Sequence, residues 1–456
     1  MINSTNGRKD TPMKTIGIIA EYNPFHNGHA YQISHVKKTL GADYVVVAMS
    51  GDFVQRGAPA ILDKYTRSRM ALSCGADLVL ELPLCFATAS AEDFAMAGVT
   101  LFDRLGITDG ICFGAETTNL ALLNDIAALL AEEPDAYRSA LSSYIKEGLT
   151  FPAARTRALT DCLCAGCNKT TDVSILTKLL SSPNNILAIE YLKAVKRRRS
   201  ALTPFLLPRE GAGYHDTSLP AKALTTLPAK ASTALPHFAS ATAIRQALLK
   251  TPDAPGFNTL SSVLPPAAFS LLEEAFSAYP AVTENDFSQI LGYLLLSGMA
   301  RDKDFFSEFA DCNADISRRI CALISSYRDF KSFTEEIKSR DITYTRAARI
   351  LTHILLSVTK DDVAQAKSLD YIPYLRMLGF RKDAAPLLSA IKKNADIPLI
   401  SRLSDARPDA QKNILSQNAF HVLEKDIFAA DLYTQIRSRG SVNTFRSEYA
   451  MPIVIV

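Results

Sequence analysis

The sequence predicts an α/β fold built on a parallel sheet, followed by a mostly α-helical C-terminal domain. Over residues 14–250, short continuous apolar runs rich in Ile and Val alternate with helical stretches. That is the pattern of strands covered on both faces. After Thr251-Pro252 the apolar residues recur at helical spacing, with few strand signals. The length of 456 residues suits two or three domains, and 48% hydrophobic against 21% charged residues excludes a disordered or fibrous chain. The expected division is a disordered extension at 1–12, an α/β domain at 13–250 and a helical domain at 251–456.

The elements follow in order. Lys14–Ala20 (KTIGIIA) reads as the first strand, then a Pro/Asn/Gly loop and a helix from about Asn27 to Thr39. Tyr44–Met49 is a second buried strand ending at Ser50-Gly51-Asp52. A helix over Arg67–Ser73, a strand over Leu78–Leu82, a helix over Ala91–Leu105 and a strand over Gly110–Gly114 come next. Residues 120–200 are mainly helical, with a break at Ser181–Asn185, and Ala201–Leu207 is a fifth strand. Gly211–His237 is loop-like, and Ala241–Leu249 starts a helix. In the second half, Phe269–Phe276, Phe287–Met299, Phe305–Ser326, Arg346–Val358 and Asp409–Leu415 read as amphipathic helices.

Eight cysteines in a chain this long are no disulfide framework. Cys162, Cys164 and Cys167 form a C-x-C-x-x-C run, but no second pair or nearby His completes a metal set, so no metal site is expected. No apolar run is long enough to span a membrane. Residues 1–12 are polar, and Met13 directly precedes the first strand, so the expected location is cytoplasmic. The net charge of +3 hides a segregation. Residues 51–150 carry 7 basic and 14 acidic residues, a sum of −7; residues 151–250 carry 14 and 5, a sum of +9. That places the expected basic surface in residues 151–250.

The chemistry lies in Glu21-Tyr22-Asn23-Pro24-Phe25-His26-Asn27-Gly28-His29, between the first strand and the first helix. In a parallel sheet, ligands bind at the carboxyl ends of strands, where helix N-termini present free N–H groups. Two histidines separated by Asn-Gly sit there, and Gly28 removes a side chain that would hold a phosphate away. Such a site suits nucleotidyl transfer, in which fixed donors hold phosphates as pyrophosphate leaves. Neither a P-loop nor a G-x-G-x-x-G run is present. A second element, Ser240-Ala241-Thr242-Ala243-Ile244-Arg245, offers capping hydroxyls and a fixed charge at another helix start.

The H-x-G-H and Ser-Ala-Thr-Ala-Ile-Arg elements together match the two-part signature of the HIGH-type nucleotidyltransferase superfamily, which brackets a Rossmann-like domain in this order. The run Gly17–His29 resembles the opening of the bacterial tRNA(Met) cytidine acetate ligase family. Met49–Gly57, Leu80–Pro83, Phe113–Glu116, Ser182–Leu187, and Arg209 with Ala212–Asp216 are similar to later segments of that family in the same order. The resemblance covers most of residues 14–250, and a helical carboxyl half is also what the family has.

The resemblance implies a two-step ligase. ATP activates acetate as acetyl-adenylate with loss of pyrophosphate. The acetyl group then passes to the N4 amine of the wobble cytidine of elongator tRNA(Met). Magnesium is expected with ATP. ATP would be wrapped by Ile19, Ala20, Glu21, Tyr22, Asn23, Pro24, Phe25, His26, Asn27, Gly28, His29, Ala30, Tyr31 and Gln32. His26, His29 and Arg209 would act at the phosphates, with Ser240, Thr242 and Arg245 beside them. Gly114 would let the backbone approach the nucleotide, and Asn184 or Asn185 would contact adenosine. Asp52 and Lys64 are further pocket candidates, with an exposed acid and a surface lysine as the alternative. The family has Trp where this chain has Tyr65. Lys196, Arg197 and Arg198, with Arg346 and Arg349 one turn apart in the helical half, are candidate tRNA contacts. On the residues alone two other readings stay open: a nucleotidyltransferase acting on a small molecule, and a non-catalytic RNA-binding protein.

Overall fold

The computed structural model describes residues 13–166, 173–208, 238–250, 259–439 and 445–456. The expectations for residues 1–12, Cys167, Arg209 and 211–237 lie outside these described residues.

Strand β1 (Thr15–Ala20) pairs in parallel with β2 (Tyr44–Ser50), Ile16 opposite Val45 and Ile18 opposite Val47. A short antiparallel ribbon, β3 (Phe53–Val54) and β4 (Ala58–Pro59), sits on the loop after β2. β5 (Leu78–Leu82) is parallel beside β2. β6 (Gly110–Ala115) is parallel on the other side of β1, and β7 (Thr203–Pro208) is parallel outside β6. The five parallel strands thus lie in the order third, second, first, fourth, fifth, which is the Rossmann arrangement. The order reverses between β1 and β6, and there the carboxyl ends open a crevice.

Alternation along β2 shows why these strands are apolar throughout. Val46 and Ala48 join the core under helices Ala91–Leu105 and Pro183–Arg198, while Val45, Val47 and Met49 join the core under Asn27–Lys38 and Lys64–Ser73. A side chain turned either way is buried, so no polar face is needed. Two glycines let helix Ala91–Leu105 lie close to the sheet: a Cβ at Gly17 would come within 2.6 Å of the Phe102 ring, and one at Gly98 within 2.4 Å of Ile19.

The second half contains helices Pro266–Ala278, Ser288–Met299, Ala314–Leu323, Phe330–Ile337, Tyr344–Leu355, Lys360–Ser368, Ala385–Asn394 and Gln417–Arg437. Among the described residues, three short strands accompany these helices. β8 (Leu375–Phe380) runs antiparallel against β5, and β9 (Leu399–Ile400) and β10 (Val454–Ile455) pair in parallel with β8. The carboxyl half therefore completes the sheet of the amino half. One expectation needs correction: Asp409–Leu415 forms turns and bends rather than a helix. Arg407 clasps Asp409 two residues on, at 2.9 Å, and the helix starts only after Ser416, whose Oγ accepts from the Ala419 N–H.

Helices Tyr344–Leu355 and Gln417–Arg437 clamp the loop between β2 and helix Lys64–Ser73. Thr352 Oγ1 donates to the Gly57 carbonyl, Tyr433 OH donates to the Ala60 carbonyl at 2.8 Å, and the Arg437 guanidinium pairs with Asp63. No helix among the described residues is long and apolar enough to cross a membrane.

Candidate active site

A cavity of about 660 Å³ opens at the carboxyl ends of β1 and β6, where the strand order reverses. Much of its wall comes from the β1–helix turn, Phe113 and Gly114 of β6, the start of helix Pro183–Arg198, and the start of helix Ala241–Lys250.

The helix Asn27–Lys38 begins inside it. His26 is the N-cap, with extended backbone, and its Nδ1 accepts from the Gly28 N–H at 3.0 Å. His29 reaches back, and its Nδ1 accepts from the His26 N–H at 3.2 Å. The two imidazoles thereby form a capping box, usually made by a hydroxyl and a carboxylate. A ring nitrogen that accepts carries no proton, so each neutral ring has its proton on Nε2. The rings stack with centroids 3.7 Å apart, and Tyr22 packs edge-on to His29 at 4.7 Å. Capping uses one nitrogen of the His26 ring, so that role and a second one at Nε2 are compatible.

Gly28 lines the cavity and has a further reason to be glycine. A Cβ there would sit 2.9 Å from His26 Cε1, so glycine makes room for the capping ring. Gly28→Ala is expected to tilt His26 off its cap and to lower the nucleotide-dependent rate about 10- to 100-fold, since misplacement near 1 Å has such costs. Steady-state rates alongside a circular dichroism melt check this; an unchanged rate removes His26 orientation from the account.

On the opposite wall Ser240 Oγ accepts from the Ala243 N–H at 3.0 Å. Arg245 Nη1 donates to the Asn23 carbonyl at 2.7 Å and Nη2 to Thr242 Oγ1 at 3.2 Å. Burial lowers the Arg245 pKa from its ordinary value; Glu21 opposes this and Arg56 adds to it. Arginine keeps its charge regardless. A half-buried cation bonded to neutral oxygens, beside a second cation, is stabilised by an incoming anion.

Of the stretch expected to wrap the nucleotide, Ile19, Ala20, Glu21, Tyr22, Asn23, His26, Gly28, His29, Tyr31 and Gln32 line the cavity. Pro24, Phe25, Asn27 and Ala30 do not. Phe25 is fully buried against Tyr22, Ala30 packs into the core, and Asn27 Nδ2 donates to the Ser262 carbonyl at 3.0 Å. Asn27 and Ala30 lie on the side of the helix turned from the wall, and Pro24 and Phe25 belong to the turn before it. Gly114, Ser240 and Thr242 line the cavity as expected. The two asparagines separate clearly. Asn184 is on the wall, whereas Asn185 is buried and its Oδ1 accepts from the Glu116 N–H at 2.9 Å, holding the loop after β6.

Asp52 and Lys64 are neither surface nor cavity residues. Both are buried, and Lys64 Nζ pairs with Glu81 at 2.8 Å and Glu448 at 2.7 Å. Tyr65 donates its hydroxyl to Glu448 Oε1 at 2.7 Å. In the basic run, Arg197 pairs with Glu92 at 2.6 Å, and Arg198 bridges Asp103 at 2.8 Å and Asp370 at 2.7 Å. Arg198 is half-buried, while Lys196 and Arg197 are exposed. Arg346 is half-buried, with Nη2 donating to the Asp311 carbonyl, while Arg349 is buried and lines the cavity. Residues the sequence reading left out of the site are Gln55, Arg56, Ser90, Phe94 and Thr345, which reach the cavity from distant segments.

A model of the HIGH nucleotidyl transferase family matches residues 13–448. The tRNA(Met) cytidine acetate ligase of Acetivibrio thermocellus is 36% identical over 446 residues, 97% of this chain and 100% of that protein. The chain belongs to this family. The tRNA(Met) cytidine acetate ligase of Caldanaerobacter subterraneus is 37% identical, over 92% of this chain and 95% of its own. The crystal structure of apo Thermotoga maritima TmcAL superposes with a TM-score of 0.84 at 28% identity, covering 97% of this chain and 100% of that one. The same protein bound with alpha-thio ATP gives a TM-score of 0.82 at 27% identity, with the same coverage. The H-x-G-H box and the Ser240–Arg245 helix start of this family member thus face each other across one cavity.

Proposed function

We propose that the chain is an ATP-dependent ligase that activates acetate and transfers the acetyl group to the N4 amine of the wobble cytidine of elongator tRNA(Met). In the first step an acetate oxygen attacks the α-phosphorus, the bond to the β-phosphate breaks, and pyrophosphate leaves. In the second, the cytidine N4 attacks the acyl carbon, AMP leaves, and N4-acetylcytidine remains. Neither step needs a protein nucleophile. Positioning and charge neutralisation suffice.

The observation that carries this reading is the pair of imidazoles whose capping box fixes Nε2–H as donor, opposite the half-buried Arg245, at the switch point of the sheet. Asn184 supports a contact to adenosine and Gly114 close approach of the backbone. Arg209 would add a further charge at the phosphates. Among the described residues, Glu21 is the single carboxylate lining the cavity, and its Oε1 accepts from the Gln55 N–H at 3.0 Å. Magnesium therefore fits as part of the ATP complex, held by phosphate oxygens and water. An anticodon loop offers an unpaired base that can be splayed into the cavity, and the helical half supplies the docking surface for the rest of the tRNA. A cytoplasmic location follows from that substrate.

Incubation with ATP, labelled pyrophosphate and acetate is expected to give acetate-dependent exchange into ATP. With tRNA(Met) added and the label carried on acetate instead, labelled N4-acetylcytidine is expected on nuclease digestion. Exchange driven by a phosphorylated small molecule instead of acetate would establish a small-molecule nucleotidyltransferase.

A further inference from the structure

Two anions must meet in the first step, so the attacking carboxylate needs its own cation, distinct from those on the phosphates. Arg349 comes from helix Tyr344–Leu355 of the second half, yet it lines the cavity. It is nine-tenths buried, which disfavours the expected contact with an RNA backbone. Its Nε donates to Asp311 Oδ2 at 2.6 Å, which fixes the plane of the guanidinium. Among the described residues no acceptor meets its two Nη groups.

The same end of the cavity holds the start of helix Ala91–Leu105, with Ser90, Ala91 and Phe94 on the wall. Several contacts bring the two helices together. His353, one turn beyond Arg349, has its Nε2 3.1 Å from the Thr88 carbonyl. Gln55 Nε2 donates to the Ala89 carbonyl at 3.1 Å, and a Cβ on Gly57 would touch the Arg349 backbone N at 2.3 Å. A planar fork with two free prongs matches a carboxylate. A helix N-terminus adds favourable potential for an anion, and the buried Phe94 ring supplies an apolar wall for a short acyl chain.

We propose that Arg349, the N-terminus of helix Ala91–Leu105 and Phe94 form the carboxylate subsite, with Arg349 holding both oxygens of a short aliphatic acid and Phe94 limiting its length. This deepens the acetate-activating reading and rests on it. The helical half then contributes to acid activation as well as to docking of the tRNA.

The test is exchange of pyrophosphate into ATP by the full chain. In Arg349→Gln the KM for acetate is expected to rise at least ~10-fold, with the KM for ATP within about twofold of the wild type. Arg349→Lys keeps the pair with Asp311 but loses the fork, and is expected to give a smaller rise in the same constant. Phe94→Ala is expected to raise the propionate-to-acetate ratio of kcat/KM about 10-fold, the scale of one methylene. If Arg349→Gln does not fold, Arg349→Lys decides. An unchanged KM for acetate in the folded variant, or a rise confined to the KM for tRNA, overturns the subsite. A wild-type chain that shows no acetate-dependent exchange overturns the ligase reading instead.

Discussion

Replacing His26 with Ala is expected to lower acetate-dependent exchange by about 10²–10³-fold, the loss typical of one preorganised donor at a developing oxyanion. The variant should stay folded. Its lost N-cap costs about 1 kcal/mol, which a domain of this size survives. Because one ring does both jobs, the two effects need separate readouts. His26→Asn restores a capping oxygen for the Gly28 N–H but places no Nε2–H over the phosphates. It should melt like the wild type and remain as slow as His26→Ala. A rate equal to wild type in either variant would sink the phosphate role and leave His26 as a cap alone. His29→Ala is expected to add little to His26→Ala, because His29 also supports the His26 N–H and the two act as a unit.

The parallel strands were legible because burial on both faces makes them continuously apolar, a signal carried by five or six adjacent residues. β8 was not. It is six residues long and has Arg376 at its second position, so locally it reads as polar and interrupted. Arg376 is tolerated there because Glu81 and, 72 residues further along, Glu448 at 3.1 Å offset its charge. Charge sums over segments miss pairing for a related reason. Part of the acidic excess of residues 51–150 meets part of the basic excess of 151–250 where helix Pro183–Arg198 packs on helix Ala91–Leu105, through Glu92, Asp103, Lys193, Arg197 and Arg198. A one-dimensional count cannot tell an intramolecular interface from a surface for RNA. In the site, H-x-G-H was readable since its function lies within one helical turn. Arg349 was readable as a cation but not as a wall of the cavity, because the contact that places it there joins residues 57 and 349.

Lys64→Ala is expected to destabilise the chain by about 3–5 kcal/mol, the cost of removing one partner from a buried ion pair. Lys64 is 1% exposed and lies between the carboxylates of Glu81 and Glu448, with Arg376 and the Tyr65 hydroxyl completing the cluster. Burial alone would lower the Lys64 pKa and raise that of Glu448, but the opposite charges win. Lys64 stands well above its ordinary value, and Glu448 below its own. An acid whose folded pKa is depressed contributes stability above its unfolded pKa and loses it as pH falls through the folded one. The penalty of Lys64→Ala should therefore be full at pH 7 and shrink below about pH 4.5, where protonated carboxyls no longer need a counter-charge. Urea midpoints at the two pH values measure this. The double variant Lys64→Met with Glu81→Gln removes charge from both sides and should recover much of the loss. None of these residues lines the cavity, so the KM for ATP, measured well below the melting temperature, should stay put in every variant. A raised KM for ATP with little loss of stability would return Lys64 to the nucleotide site. The opposite pattern makes the cluster a lock between β5, β8 and the 445–456 segment, with the family's aromatic position after Lys64 serving that lock through the Tyr65 hydroxyl.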